Sequence, residues 1–481
     1  MNYSMIFYII GWILNVEAVL MLPSVAVAAF YKEKSGVAFA AVIVFSAAAG
    51  LLLVRKQPKN KVFYAREGCV TVALCWIIMS IVGALPFVLS GTIPSIIDAI
   101  FETVSGFTTT GASILPEVEG LPHCILFWRS FTHWIGGMGV LVFVLVLISL
   151  DKKNSMYLMR AEVPGPEKDK LVPKAMSTAR ILYGMYLIMT VVEIIFLMLG
   201  GVNLFDSMIF SFGSAGTGGF SNYADSVAHF HSAYIDGVIT TFCALFGVNF
   251  SLFYFMLLGD FKSVRKNVEL RTYIMLIVGA TALITLNIHS MFPSMIKAFR
   301  YAIFQVVTVI TTTGYATMDF AKWPMFSKSI LMMLTVVGAC ASSTGGGIKV
   351  SRLLVGIKCV KREIVQLAHP KSVGIIRIGG KKVGSDILRT IYIYFIAYVG
   401  ILIVSVMLVS LDNFDFETTF SAVLTTLGNV GPGMAKVGPM GNFADFSILS
   451  KLVLCFDMLA GRLEIFPFLV LFTAPAWRRK F

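Results

Sequence analysis

DAIFETVSGFTTTG at Asp98–Gly111, DSMIFSFGSAGTGG at Asp206–Gly219, YAIFQVVTVITTTG at Tyr301–Gly314 and TTFSAVLTTLGNVG at Thr418–Gly431 are four versions of one 14-residue pattern. Each opens as an amphipathic stretch the length of one short helix and closes on Thr and Gly. The closing glycines Gly111, Gly219, Gly314 and Gly431 stand 108, 95 and 117 residues apart. Each interval has room for a helix, a basic connection and a second helix before the next pattern begins. The same element order recurring about every 100 residues marks an internal repeat. The expected fold is an all-α polytopic membrane protein: two leading helices, then four repeats of a helix, a short re-entrant helix with its Thr/Gly segment, and a second helix. These stand in pseudo-four-fold arrangement around one axis, giving ten crossings.

Composition agrees with a lipid setting. Of the 481 residues 57% are hydrophobic and 14% charged, a balance unsuited to a soluble surface. Charge-free runs able to cross a hydrocarbon core of ~30 Å recur at Ser35–Val54, Gly237–Gly259, Thr272–Ile296, Ser329–Ile348 and Thr390–Leu411. The first apolar stretch, Ile6–Phe30, has no small-residue cleavage signature and reads as a retained helix. Seven cysteines, mostly inside apolar runs, suggest no disulfide framework. The net charge of +13 raises the question of nucleic acid, which the placement of Lys and Arg answers in the negative. Segments Val54–Gly68, Asp151–Arg180, Gly259–Arg271 and Lys349–Arg389, with the tail after Pro475, hold 29 of the 39 basic residues. By the positive-inside rule these are cytoplasmic, as are both termini. The basic segments divide the chain into 1–68 (leading helices), 69–180, 181–271, 272–389 and 390–481 (repeats 1 to 4).

The pattern also carries chemistry. Asp98, Asp206 and Thr418 suit the N-caps of helices dipping into the membrane, and Tyr301 breaks that rule. The helices then give way to TTTG, GTGG, TTTG and GNVG, irregular backbone that membrane depth tolerates only inside protein or along a wet cavity. Glycine allows positive φ, so consecutive carbonyls can face a common axis and replace a cation's hydration shell. The C-terminal ends of four short helices add attraction for positive charge. Thr/Gly clusters also mediate close helix packing, which is the alternative for any one window.

SGFTTTGAS at Ser105–Ser113, HWIGGMG at His133–Gly139, RAEVPGP at Arg160–Pro166, SSTGGGIK at Ser342–Lys349 and GRLEIFP at Gly461–Pro467 together carry a family likeness. The chain resembles TrkH-type potassium uptake subunits of the Trk/Ktr/HKT superfamily over essentially its whole length. The resemblance implies a K+ filter at Thr109, Thr110, Gly111, Gly218, Gly219, Thr313, Gly314, Val430 and Gly431. Glycine at the first filter position leans toward K+, since serine there accompanies Na+ preference in related plant transporters. The departures GTGGF and GNVGP make the side-chain rings unequal and imply moderate selectivity. The resemblance further implies a homodimer in the cell inner membrane, each subunit keeping its own pore. It implies a cytoplasmic nucleotide-binding regulatory subunit resembling TrkA, with no nucleotide bound by this chain itself.

Outside the filter, Ser342–Gly347 puts three glycines into an apolar run, each weakening a helix by about 1 kcal/mol. The segment is a kink, a tight helix contact, or, as the resemblance implies, a gate at Gly345, Gly346 and Gly347. Arg462 lies in the apolar run Ile448–Phe472 and needs a partner or a function. It either pairs with Asp457 or Glu464 or, as the family implies, stands by the permeation path, with Lys349 in a related role. Glu102 and Glu417 either draw cations or offset helix dipoles. His133 reads as a helix contact rather than a proton relay. No Walker, nucleophile-elbow or paired-acid motif is present, so an enzyme is not expected. A gated uptake pore and a rocking secondary transporter with midplane binding remain as function classes. Repeats that all start from one side favour the pore.

Overall fold

The computed structural model describes residues 1–58, 64–139, 175–371 and 374–477. RAEVPGP and most of the basic segment around it lie outside the described residues. Helices α1 (Tyr3–Tyr31) and α2 (Gly36–Val54) form a leading hairpin. At their crossing a Cβ on Gly50 would sit 2.7 Å from the Gly11 carbonyl oxygen, so only glycine permits this approach. The elbow between them docks through Glu33, whose carboxylate accepts from the amides of His123 (2.6 Å) and Cys124 (3.0 Å).

From α3 (Ala65–Leu89) onward one order recurs. A long apolar helix, α3, α6 (Ala175–Leu199), α11 (Val268–Ile288) or α15 (Ser385–Val409), precedes a short buried one. The short helices are α4 (Ile96–Phe107), α7 (Leu204–Gly216), α12 (Met295–Ile310) and α16 (Phe416–Leu427). An extended segment leads on to α5 (His123–Gly137), α8 (Ala233–Phe246), α13 (Met325–Val337) or α17 (Ile448–Arg462). The boundaries drawn at 68, 180, 271 and 389 fall within the first two turns of the long helices, because each helix begins inside its basic flank.

The expected N-caps are corrected. Ser95, Asn203, Ser294 and Asp415 cap the four short helices, each accepting from the amide three residues on at 3.4, 2.8, 3.2 and 2.9 Å. Asp98, Asp206 and Thr418 occupy the third helical position, where their own amides are the capped donors. The third short helix has 16 residues against 12, 13 and 12, which places Tyr301 in mid-helix and explains its misfit.

The runs Gly237–Gly259, Ser329–Ile348 and Ile448–Phe472 are not continuous helices. α5, α8, α13 and α17 all stop after 13 to 15 residues. α8 turns by 91° into α9 (Phe250–Leu257), and a basic helix α10 (Phe261–Lys266) follows. α13 gives way to an irregular loop ahead of α14 (Val350–Ala368). α17 breaks at Leu463–Ile465 before α18 (Phe466–Val470), and α19 (Ala474–Trp477) ends the described chain. In that last break Ile465 has φ 65° and ψ −63°, with Phe466 N–H donating to the Glu464 carbonyl at 2.7 Å. A branched side chain in such a turn costs ~1–3 kcal/mol and is held there by its surroundings. Six described helices are long and apolar enough to cross a membrane, or seven with α8 and α9 as one bent span. Against the all-helical expectation, the basic segment carries one two-residue antiparallel ladder, Arg377–Ile378 with Lys381–Lys382, turned by Gly379 and Gly380 at positive φ.

Candidate functional site

The four short helices end alike although their sequences differ. The residue two before each closing glycine is left-handed: Thr109 at φ 55°, Thr217 at 57°, Thr312 at 61° and Asn429 at 54°. Each following amide, of Thr110, Gly218, Thr313 and Val430, donates to the carbonyl five residues back at 2.8–2.9 Å. This is the six-to-one bond that closes helices through a left-handed residue. The closing glycines then take φ of 81°, 78°, 80° and 91°. Threonine in the left-handed region costs about 1–2 kcal/mol, a strain repeated in three of the four strands.

The strands meet in a closed cycle. A Cβ built on Gly111 would strike the Gly218 carbonyl oxygen, one on Gly219 that of Thr313, and one on Gly314 that of Val430. One on Gly431 would lie 2.5 Å from the Thr110 oxygen. The carbonyls just before the four glycines thus pack edge to edge in chain order, with no room for a side chain between them. A cavity of about 120 Å³, lined by all four glycines with Ser113, Ser221 and Asn442, lies against the ring. Side chains have lower symmetry than the backbone. Thr108 bonds Thr110 (2.8 Å) and Thr311 bonds Thr313 (2.9 Å), whereas the matching residues are Gly216 and Gly218 in the second strand and Gly428 and Val430 in the fourth. In the fourth, the Asn429 amide reaches across to the Thr110 hydroxyl at 3.0 Å.

Each strand is also tied back to its own helix. The Ile114 amide donates to Glu102 at 3.0 Å, that of Thr317 to Gln305 at 3.5 Å and that of Met434 to Ser421 at 2.9 Å; in the second strand the Asn222 side chain bonds Asp206. Glu102 is fully buried against Arg129 (2.7 Å), and Glu417 pairs with Lys328 (2.8 Å). Glu102 therefore positions the strand and offers no open carboxylate for cations, which corrects one of the two roles weighed for it. His133 joins the end of α4 to the second strand: it bonds the Gly106 carbonyl through Nδ1 (2.7 Å) and accepts from the Phe220 amide through Nε2 (3.2 Å). An amide can only donate, so Nε2 carries no proton and the ring is a neutral spacer.

Directly beneath the third and fourth strands sits the loop Gly338–Lys349. Its neck is closed where the Gly338 and Gly347 backbones touch, and Lys349 N–H donates to the Val337 carbonyl at 2.9 Å. A Cβ on Gly345 would lie 2.8 Å from the Thr311 oxygen and one on Gly346 2.9 Å from Asn429 Cβ. The Gly346 amide donates to the Thr312 hydroxyl at 2.6 Å. Lys349 Nζ donates to the Gly345 carbonyl, and Arg462 Nη1 to that of Thr344 at 2.7 Å. Arg462 Nη2 reaches the Gly136 and Gly137 carbonyls at the end of α5. The acids expected as its partners are engaged elsewhere, Glu464 by Arg352 (2.5 Å) and Asp457 by the Ser405 hydroxyl (2.7 Å). The break after α17 puts Arg462 at a helix end rather than in mid-span, where it bridges the loop and α5.

The four glycines aligned in the sequence pack into one ring, and the loop containing SSTGGG lies against it. Sequence reasoning passed over Thr217, Thr312 and Asn429, although the column two before each glycine reads Thr, Thr, Thr, Asn.

The profile of the cation transport protein family TrkH matches residues 34–478. The Trk system potassium uptake proteins TrkH of Salmonella typhimurium and Escherichia coli K12 are each 36% identical over 485 residues, covering 99% of this chain and 100% of theirs. The solved structure of the potassium transporter TrkH from Vibrio parahaemolyticus aligns with a TM-score of 0.90 at 32% identity, covering 99% of this chain and 100% of that one. The chain belongs to the TrkH family of cation transport proteins. As a TrkH-family member it is a transport protein and not an enzyme. The TrkH-like fold extends over the leading hairpin as well as the four strands, since nearly the full length aligns.

Proposed function

We propose that this chain is the K+-conducting subunit of a Trk-type uptake system in the cell inner membrane. Its ten crossings are two leading helices and four M1, pore helix, filter, M2 repeats around one pore, with both termini cytoplasmic. The carrying observation is the cyclic packing of the Thr110, Gly218, Thr313 and Val430 carbonyls against the four glycines. Four oxygens in one layer at membrane depth replace cation hydration, and four short-helix C-termini aim negative potential at the same point. Unequal threonines around the ring make for fewer ordered ion sites and moderate selectivity.

The loop Gly338–Lys349, with Lys349 and Arg462 held to its carbonyls, bars the passage below the filter and sets a positive barrier there. Opening follows when a cytoplasmic nucleotide-binding partner resembling TrkA engages the basic segments of a homodimer, Lys349–Arg389 foremost. A passive pore is favoured over a rocking carrier because all four strands share one polarity of cap, turn and glycine. The test is growth of K+-uptake-deficient cells expressing the chain, with and without the partner, across K+ and Na+ concentrations. Rescue at low K+ that needs the partner supports the proposal; rescue independent of the filter glycines refutes it.

A further inference from the structure

We infer that Glu269 is the positioning residue that latches the Gly338–Lys349 loop shut, tying it to the cytoplasmic end of the third repeat. The inference rests on the gating reading above and names the part that holds the gate.

Glu269 is the second residue of α11, just past its cap Asn267, which accepts from the Leu270 amide at 2.8 Å. Its side chain turns inward and is nearly fully buried. One carboxylate oxygen, Oε1, accepts from the Ala341 amide at 2.7 Å and the Ser351 amide at 3.2 Å. Ala341 lies on the limb leaving α13, and Ser351 lies in the first turn of α14. A single anion thus binds both limbs of the loop, reinforcing the main-chain bonds at its neck from Lys349 N–H to Val337 and from Val350 N–H to Ala339 (3.1 Å).

The same limb is held along the break after α8. Cys340 N–H donates to the Gly247 carbonyl (3.1 Å), Phe250 N–H to the Ser342 carbonyl (3.1 Å) and the Thr344 hydroxyl to the Phe246 carbonyl (3.2 Å). The loop's polar groups are therefore sorted by side. Amides of its two limbs point to the Glu269 carboxylate, while carbonyls near its tip point to Lys349 and Arg462. Anion on one side and cations on the other fix the loop as a charge-assisted clamp, stronger than neutral bonds would. α10 carries Lys262, Arg265 and Lys266 and ends three residues before Glu269. A pull on this basic helix reaches the latch through Asn267 and Val268 and through the bond from Arg271 Nε to the Arg265 carbonyl (2.8 Å). It offers a cytoplasmic partner a route to the gate separate from Lys349–Arg389.

The experiment measures ⁸⁶Rb⁺ flux without the partner, at matched membrane amounts, for wild type, Glu269→Ala, Glu269→Gln, Ser351→Pro, deletion of Gly345–Gly347, and the deletion combined with Glu269→Ala. Losing a charge-assisted acceptor shifts a two-state equilibrium about tenfold, so Glu269→Ala should raise basal flux by about that factor. Glu269→Gln keeps an accepting oxygen and should fall between Glu269→Ala and wild type. Ser351→Pro removes one of the two donors at a first-turn position where proline is tolerated, and should raise flux less than Glu269→Ala; it reads the latch even where Glu269→Ala fails to insert. In the deletion background Glu269→Ala should add nothing, because the tip that the latch holds in place is gone while Ala341 and Ser351 remain. A leaky deletion with wild-type flux in both Glu269→Ala and Ser351→Pro overturns the latch alone, as does an additive double variant. A deletion that stays closed overturns the gating reading itself.

Discussion

Replacing each ring glycine by alanine, one at a time, tests the carbonyl ring through its own geometry. At Gly431 the added Cβ lies 2.5 Å from the Thr110 oxygen, against an ordinary contact of 3.4 Å or more. That oxygen has to withdraw by about 1 Å. For a partial charge of about half an electron roughly 3 Å from a cation, at an effective dielectric near 20, the retreat forfeits about 0.7 kcal/mol. This is roughly a threefold loss of occupancy. The left-handed φ of 91° adds about 1 kcal/mol of backbone strain. At Gly111 and Gly219 the Cβ would overlap the neighbouring oxygen more deeply, and at Gly314 it would also meet Pro432 Cδ at 2.7 Å, so these strands must move further. Uptake of ⁸⁶Rb⁺ by K+-uptake-deficient cells should show Gly431→Ala as the mildest variant, down about threefold in apparent affinity. Gly111→Ala and Gly219→Ala should lose at least about tenfold and admit more Na+ relative to Rb⁺. Wild-type affinity and selectivity in Gly111→Ala, with Gly431→Ala the most damaged of the four, would refute the ring.

Arg462→Gln removes a cation fixed at the loop and should raise inward ⁸⁶Rb⁺ flux by roughly tenfold and flatten its voltage dependence, since such a barrier is worth about 1–2 kcal/mol. An effect confined to protein yield would leave Arg462 as a helix tie. His133→Phe keeps the ring stacked on Phe220 but strands the Gly106 carbonyl and the Phe220 amide, at about 1–3 kcal/mol each. Its thermal midpoint in detergent should fall by several degrees with K+ over Na+ selectivity, and an unchanged selectivity would contradict its place between α4 and the second strand. Asp415→Ala should cost about 1 kcal/mol by removing the cap of α16. Bonds from the Thr418 hydroxyl and amide hold the Asp415 carboxyl below its ordinary range. Because the folded value lies below the unfolded value of about 3.9, the stabilisation is complete at neutral pH and is lost as pH falls through the folded value. The gap in melting temperature between wild type and Asp415→Ala should therefore close below about pH 4, and a gap that stays constant down to pH 3 would argue against an ionised cap.

The four turns were legible because no Cβ fits at Gly111, Gly219, Gly314 and Gly431, so aligning these glycines aligns the left-handed residues just before them. Helix starts were misjudged because the third short helix is a turn longer, so windows of equal length hid the shared caps Ser95, Asn203, Ser294 and Asp415. The breaks in α8 and α17 were hidden by composition. Gly247 sits in a charge-free run, the break at Leu463–Ile465 carries no glycine or proline, and only SSTGGG held enough glycine to be seen. Arg462 was read as a charge at depth that needs a partner; it is half-buried, and its partners include main-chain carbonyls brought from Thr344, Gly136 and Gly137 by tertiary packing. Carbonyls are present at every residue and leave no mark in a sequence. Glu269 escaped notice for the same reason, its partners being backbone amides.

The most direct measurement is anomalous diffraction from crystals of the protein grown in Rb⁺ or Tl⁺. Density on the axis at the level of the Thr110, Gly218, Thr313 and Val430 carbonyls is expected, weakened when Gly111 is replaced by alanine. Ions found only between other helices, with the four glycine strands bare, would contradict conduction through their shared centre.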